Sequence, residues 1–136
     1  LNPLVDTGQL EGGLVQGIGW MTMEELLFDE GRNLTDTLST YKIPDILCTP
    51  EIEGPFLADA DNPNAVMQSK AIGEPPLMYG IGTFFAILDA LRAFRPDREA
   101  FFHAPMTPER VLMYLHGDRG ASNFDEIAEA ASVVQR

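Results

Sequence analysis

The segment Gly73-Glu74-Pro75-Pro76 constrains the local backbone more than any other part of this sequence, because two consecutive prolines follow an acidic residue. A residue that precedes proline is disfavoured in the helical region, so we expect Glu74 to be extended and a helix to begin immediately after it. Both prolines suit the first positions of a helix, where their missing N–H groups leave no hydrogen bond unmade. Gly73 has no side chain to crowd the space beside the carboxylate. The segment therefore predicts an acidic side chain held at a rigid corner before a helix.

Two roles fit a carboxylate in this position. A rigidly placed acid with open space beside it meets the requirements of a general base. A carboxylate near the start of a helix also interacts favourably with the helix dipole, and most such acids do no more than that. Taken by themselves, these residues favour the capping role.

Two long helices are predicted from the spacing of apolar residues. One covers about 76–94 and is mostly buried. The other runs from Gln9 to about Phe28, with Asp6 placed to form a variant of the capping box. This second helix contains four glycines, and each costs up to about 1 kcal/mol of helix propensity relative to alanine. We therefore expect something to pack closely against its backbone, either a cofactor or, more commonly, another helix. These glycines are Gly12, Gly13, Gly17 and Gly19.

The remaining predicted elements are shorter. Residues 29–33 predict a turn, residues 34–43 a strand, and residues 65–68 a short strand that leads to the Glu74 corner. Thr107-Pro108-Glu109 predicts a short helix that ends before Gly117, and Ser122 predicts the start of another that runs to about Val134. The predicted fold class is therefore α+β, with long helices and a few strands.

The charge balance of 9 basic and 21 acidic residues gives a net charge of -12, which argues against nucleic acid and anionic membranes as partners. Cys48 is the single cysteine, so no internal disulfide or cysteine-ligated metal site is expected, and the spacing of His103 and His116 suggests no metal cluster. No apolar run of membrane-spanning length or signal-peptide pattern is recognised, which predicts a cytoplasmic protein. Three arginines near the end of the 76–94 helix are interpreted as a solvated cluster rather than an anion site: Arg92, Arg95 and Arg98.

An ordered set of short motifs extends from residue 1 to about 115. Its most specific member is the segment Ser69-Lys70-Ala71-Ile72-Gly73-Glu74-Pro75-Pro76-Leu77. In order and spacing the set resembles the C-terminal signature of the molybdenum-binding subunit in the xanthine dehydrogenase and aldehyde oxidase family, and is most similar to bacterial xanthine dehydrogenases. The other members are Leu1-Asn2-Pro3, Gly8-Gln9-Leu10-Glu11-Gly12-Gly13, Val15-Gln16-Gly17-Ile18-Gly19, Glu24-Glu25-Leu26, Ser39-Thr40-Tyr41-Lys42-Ile43-Pro44, Phe84-Phe85-Ala86-Ile87, Asp89-Ala90, Ala104-Pro105 and Thr107-Pro108-Glu109.

This resemblance implies that the chain is the C-terminal fragment of a molybdopterin-binding domain within a longer polypeptide. Residues 1–116 would form the C-terminal portion of that domain, and residues 117–136 an appended C-terminal helix. The 45% hydrophobic content is high for a small independent domain, which fits a surface covered by the missing remainder.

The resemblance also implies the chemistry. Members of the family hydroxylate an electron-poor carbon of a purine, an N-heterocycle or an aldehyde, using oxygen from water and a molybdenum–pyranopterin (molybdopterin) cofactor, without a protein side chain as metal ligand. Glu74 matches the catalytic general base, and Gln9 matches a glutamine that hydrogen-bonds the cofactor, although Gln9 could instead close a cap with Asp6. Gly73 and Lys70 are candidate neighbours of the cofactor, with a surface charge as the alternative role for Lys70.

The implied partners are the remainder of the molybdenum subunit and the domains or subunits that hold 2Fe-2S clusters and FAD. We expect a xanthine dehydrogenase-like enzyme that oxidises purines and is inactive as an isolated fragment. Two alternatives stay open: an oxidoreductase of the same family acting on aldehydes or other N-heterocycles, and a non-catalytic piece that only packs against the rest of its subunit.

Overall fold

The computed structural model of the chain describes residues 2–54, 56–99 and 101–117. Within those ranges the chain forms four α-helices, a single 3-10 turn and a small two-stranded antiparallel sheet, which confirms the α+β class. The elements are α1 (Pro3–Thr22), β1 (Phe28–Asp29), β2 (Arg32–Asn33), the 3-10 turn (Val66–Gln68), α2 (Glu74–Gly80), α3 (Gly82–Phe94) and α4 (Pro108–His116).

Helix α1 begins six residues before the predicted start. The side chain of Asn2 is the N-cap and accepts a hydrogen bond from the Val5 N–H at 3.4 Å. The Asn2 N–H donates to Asp6 Oδ2 at 3.3 Å, so Asp6 closes a cap with Asn2. The Asn2-Pro3 pair therefore starts the helix, since proline suits its first turn.

The C-terminal end of α1 was also predicted wrongly, because the helix stops at Thr22 rather than near Phe28. The N–H groups of Met23 and Glu24 both donate to the Gly19 carbonyl at 2.9 Å, which closes the helix. Two side-chain pairs then hold the following chain in place. The Tyr41 hydroxyl donates to Glu24 Oε2 at 2.6 Å, and Arg110 forms an ion pair with Glu25.

The predicted turn at 29–33 is confirmed as a hairpin between β1 and β2. Glu30 and Gly31 form its two-residue loop with φ values of 45° and 81°, the left-handed geometry that matches the twist of a tight hairpin. The strand predicted over 34–43 is wrong. The Thr35 N–H donates to Asn33 Oδ1 at 2.9 Å and the Tyr41 N–H donates to the Thr37 carbonyl at 2.7 Å, so local turns use the backbone groups that a sheet needs.

The predicted 76–94 helix is nearly right in extent but is divided into α2 and α3 at Ile81. Glu74 is the first residue of α2 rather than the residue before it. Contrary to the sequence expectation, the combined stretch Glu74–Phe94 is long and apolar enough to cross a membrane by length and composition, and an 18-residue window within it has a mean hydropathy of 1.4. A core helix of a soluble protein meets the same criterion.

The core lies between α3, α4 and the segment that joins them. Phe84, Leu88 and Leu91 of α3 pack with Phe101, Met106 and Tyr114. The Met106 N–H donates to the Met21 carbonyl at 2.7 Å, which attaches this core to the end of α1. Helix α4 begins as predicted, with the Thr107 hydroxyl accepting a hydrogen bond from the Arg110 N–H, and ends before Gly117.

Two of the three clustered arginines cap α4. Arg95 donates to the Leu115 carbonyl at 2.5 Å, and Arg98 donates to the carbonyls of Tyr114 and Gly117. Both satisfy carbonyl groups that the end of a helix leaves unpaired. Arg92 fits the predicted solvated role, because it lies 3.7 Å from Asp89 in an exposed ion pair. The interpretation as a solvated cluster is therefore wrong for Arg95 and Arg98, which are structural.

The remaining predictions concern residues 65–68 and the C-terminal segment. Residues 65–68 form a 3-10 turn and not a strand, because Met67 and Gln68 have φ values of 54° and 56°, outside the extended region. The helix predicted from Ser122 to Val134 lies outside the described residues, so the boundary at 117 stays a prediction.

Candidate functional site

Glycines bring α1 and α2 into backbone contact. A Cβ atom added at Gly17 would clash with the Leu77 carbonyl oxygen and lie 2.8 Å from the Gly80 Cα. A Cβ atom added at Gly80 would lie 2.7 Å from the Gly17 Cα. Real Cβ contacts below 3.0 Å are essentially never seen, so only glycine at positions 17 and 80 permits this approach. The expectation of close packing is confirmed here, and the packing partner is a helix.

The same contact continues to the start of α2, next to Glu74. A Cβ atom added at Gly13 would lie 2.9 Å from the Pro76 Cβ and 3.0 Å from the Gly73 carbonyl oxygen. Gly12 differs from its neighbour, since an added Cβ would have no described atom within 4 Å. Gly13 and Gly17 are four residues apart and lie on one face of α1, whereas Gly12 lies off that face. The packed face of α1 therefore ends against the residues that flank Glu74.

Glu74 begins α2 with an exposed side chain, and no hydrogen bond or ion pair is found for its carboxylate among the described residues. Gly73 beside it is also exposed, and a Cβ atom added there would meet no described atom within 4 Å. The backbone of Glu74 is fixed by the start of the helix, while its carboxylate faces open space. This arrangement leaves the carboxylate accessible to a bound molecule.

A groove of about 750 Å³ lies beside this corner. Its walls are mostly apolar, with Asp6 and Lys70 as charged members. Helix α1 contributes residues at four-residue spacing, α2 contributes the residues after Glu74, and the irregular segments before α2 form the rest. The lining residues include Leu10, Leu14, Phe56, Leu57, Ile72, Pro75, Pro76 and Tyr79.

The structure brings only part of the predicted site into the groove. Lys70 lines the groove with an exposed side chain, whereas Gln9, Gly73 and Glu74 do not line it. Gln9 is exposed on α1 one turn before Gly13. Gly73 and Glu74 therefore lie where Gly13 meets the start of α2, Gln9 lies one helical turn away from that contact, and Lys70 lines the groove.

Sequence reasoning missed the groove residues Asp6 and Tyr79 as site members. Asp6 was assigned to a helix cap, and it does accept the Asn2 N–H there. Tyr79 carried no motif, and no signal in the sequence identified it, because the 77% exposure of its side chain is a property of the fold. Both were hidden because the groove is formed by segments distant in sequence.

The donor set of the described residues bears on which cofactor the site can accept. No group of three or more His, Cys, Asp or Glu side chains within them is placed to hold a metal ion. The open space at Gly73 admits an organic ligand close to the backbone beside Glu74. The residues present therefore fit a bulky organic cofactor at this corner.

Comparison with known proteins agrees with this geometry. Residues 1–50 match the family model of the molybdopterin cofactor-binding domain. The chain is 44% identical to xanthine dehydrogenase of Dictyostelium discoideum over 82% of its length, and 40% identical to aldehyde oxidase 1 of Bos taurus over 83%. In both cases it spans 9% of the relative's length.

A solved structure shows the same fold. Quinoline 2-oxidoreductase from Pseudomonas putida 86 superposes with a TM-score of 0.71 and 31% sequence identity, covering 84% of this chain and 14% of that one. The chain is thus similar to a small portion of several large oxidoreductases. It belongs to the xanthine dehydrogenase and aldehyde oxidase family of molybdenum enzymes, as part of the region that binds the molybdopterin cofactor.

Proposed function

We propose that this chain supplies Glu74 as the general base of a molybdenum hydroxylase that oxidises purines of the xanthine type. The observation that carries the proposal is the placement of Glu74 at the start of α2, where the α1–α2 contact fixes its backbone and its carboxylate stays exposed beside Gly73. A positioned base needs both properties, because proton transfer requires hydrogen-bond reach to the reacting group.

The residues of this chain have separate tasks in the proposed reaction. When bound, the cofactor supplies the two-electron redox step and the activated oxygen derived from water. The Glu74 carboxylate would take up the proton released when the substrate is oxidised. Gly73 leaves room for close approach, Gln9 offers its amide as a hydrogen-bonding group to the cofactor, and the Lys70 ammonium provides a positive charge on the groove side.

The experiment replaces Glu74 with glutamine in the complete enzyme that contains this chain. We expect turnover of xanthine, with an artificial electron acceptor, to fall by roughly 10²–10⁴-fold, the contribution typical of a general base, while molybdenum content stays unchanged. The Glu74→Gln change keeps the size of the side chain and removes the proton acceptor.

Glu109→Gln is the matched control, because Glu109 is also an exposed acid in the first turn of a helix with proline in that turn. If both acids only interact with helix dipoles, the two variants will lose similar small amounts of stability and no turnover. Retained turnover in Glu74→Gln would therefore refute the proposed role and favour the capping interpretation.

The substrate class rests on the relatives. One of them is named aldehyde oxidase 1, and the structural neighbour is named quinoline 2-oxidoreductase. A panel of xanthine, benzaldehyde and quinoline on the complete enzyme distinguishes the classes. We expect the largest kcat/KM for xanthine, and preference for either of the other two would reassign the substrate within the family.

A second candidate function is a packing piece without activity of its own. Large apolar side chains are extensively exposed in the described chain, among them Ile46 at 88% and Leu47 at 90%, which favours cover by other parts of a larger protein.

We propose that the remaining domains or subunits, including those with 2Fe-2S clusters and FAD, complete a cytoplasmic enzyme. The isolated 136-residue chain is then expected to bind no molybdenum. Stoichiometric metal in the isolated chain would contradict the proposal that cofactor binding depends on the other domains or subunits.

A further inference from the structure

We infer that Gly13 of α1 is a positioning residue for Glu74, an inference that rests on the proposed role of Glu74 as general base. Gly13 lies against the backbone that leads into Glu74, and it does so from a different helix. An added Cβ at position 13 would lie 3.0 Å from the carbonyl oxygen of Gly73, the residue immediately before Glu74. It would also lie 2.9 Å from the Pro76 Cβ and 3.3 Å from the Leu77 N.

These neighbours cannot move aside individually. The Pro76 Cβ belongs to a buried ring fixed to the backbone, and the other two atoms are backbone atoms of the N-cap residue and the first turn of α2. Flexible side-chain ends would relax around a new methyl group, but these atoms can relax only if the start of α2 moves as a unit. Ordinary contacts begin at 3.4 Å, so a methyl group at position 13 displaces that turn by about half an ångström.

Such a displacement matters for catalysis more than for the fold. Reacting groups need placement within about 0.5 Å, and a shift of about 1 Å can cost roughly 10²-fold in rate. Glu74 begins the displaced turn, so its carboxylate moves with it. We expect the Gly13→Ala enzyme to lose about tenfold in kcat, with little change in KM, because the base acts in the transition state and not in ground-state binding.

Gly12→Ala is the matched control, since it lies one residue away in the same helix and its added Cβ would meet no described atom within 4 Å. Both substitutions raise helix propensity equally, so they differ only in contact with α2. The complete enzyme is assayed with xanthine, and kcat is normalised to molybdenum content. A fall in kcat for Gly13→Ala alone, at constant KM, supports the inference.

The outcomes separate the two proposals. If Glu74→Gln retains turnover, the general-base role fails and the positioning role fails with it. If Glu74→Gln is inactive but Gly13→Ala matches Gly12→Ala, or changes only KM, the positioning role alone is refuted.

If Gly13→Ala yields no molybdenum-containing enzyme, Pro76→Ala tests the same contact from the opposite helix. It removes the ring that holds the first turn of α2 against α1, so we expect a lower kcat at constant KM. A kcat equal to that of Gly12→Ala would refute the inference.

Discussion

Replacing Gly17 with alanine should loosen the α1–α2 contact, although the same substitution on an open helical surface stabilises a protein. Gly17 is buried, and its added Cβ would lie 2.8 Å from the Gly80 Cα and closer still to the Leu77 carbonyl oxygen. Alanine gains about 1 kcal/mol of helix propensity over glycine. Overpacking costs typically about 1–3 kcal/mol, and the upper end applies because both neighbours are backbone atoms that cannot rotate away. The net expectation is a loss of about 2 kcal/mol.

Gly12→Ala provides the comparison, because Gly12 is exposed with open space around it and gains the propensity term of about 1 kcal/mol without the clash. The two variants should therefore differ by about 3 kcal/mol, or roughly a hundredfold in an equilibrium constant. Hydrogen exchange of the amides in α1 and α2 of the complete enzyme measures the free energy of local opening directly. Equal or greater protection in Gly17→Ala than in Gly12→Ala would refute the reasoning.

Two further predictions concern the core and a tyrosine. Leu88 is 3% exposed, so Leu88→Ala should cost about 2–5 kcal/mol in α3 hydrogen-exchange protection. The exposed Leu112→Ala control should change little, and equal losses would contradict the assigned core. Hydrogen bonding to Glu24, with burial second, raises the pKa of Tyr41 from 10.0 to about 12. A raised pKa stabilises the fold below pH 10 and loses that effect as pH rises to 12. Tyr41→Phe should therefore cost about 1 kcal/mol at neutral pH, allowing for partial exposure. Urea unfolding at a series of pH values measures the difference in free energy of unfolding between the Tyr41→Phe variant and the unsubstituted protein. That difference should vanish between pH 10 and 12, and a difference that stays constant with pH would refute the role of this hydrogen bond.

Several features were predictable because their causes are local. The prolines placed the start of α2 within two residues, and the Thr107-Pro108 pair marked the start of α4. The glycines of α1 predicted a closely packed neighbour, and at Gly13 and Gly17 that neighbour is α2. Each of these depends on the shape or hydrogen-bonding capacity of residues adjacent in sequence.

The failures also have a common physical cause. Residues 34–43 have the composition of a strand, but a strand requires a partner, and Thr35 and Thr37 instead use local turns to satisfy the backbone. Arg95 and Arg98 looked like solvated charges because the carbonyls they cap belong to α4, distant in sequence. Composition does not identify a hydrogen-bonding partner that only the fold brings close.

The sequence by itself predicted that a helix begins at the prolines beside Glu74, since proline geometry suits the first turn of a helix. Only the tertiary structure decided which helix holds that corner and which face of it stays open. Gly13, Gly17 and Gly80 permit the approach, but they acquire this role only when α1 and α2 meet. Whether two segments distant along the chain clash depends on how they are arranged in space. Only the folded structure supplies that arrangement.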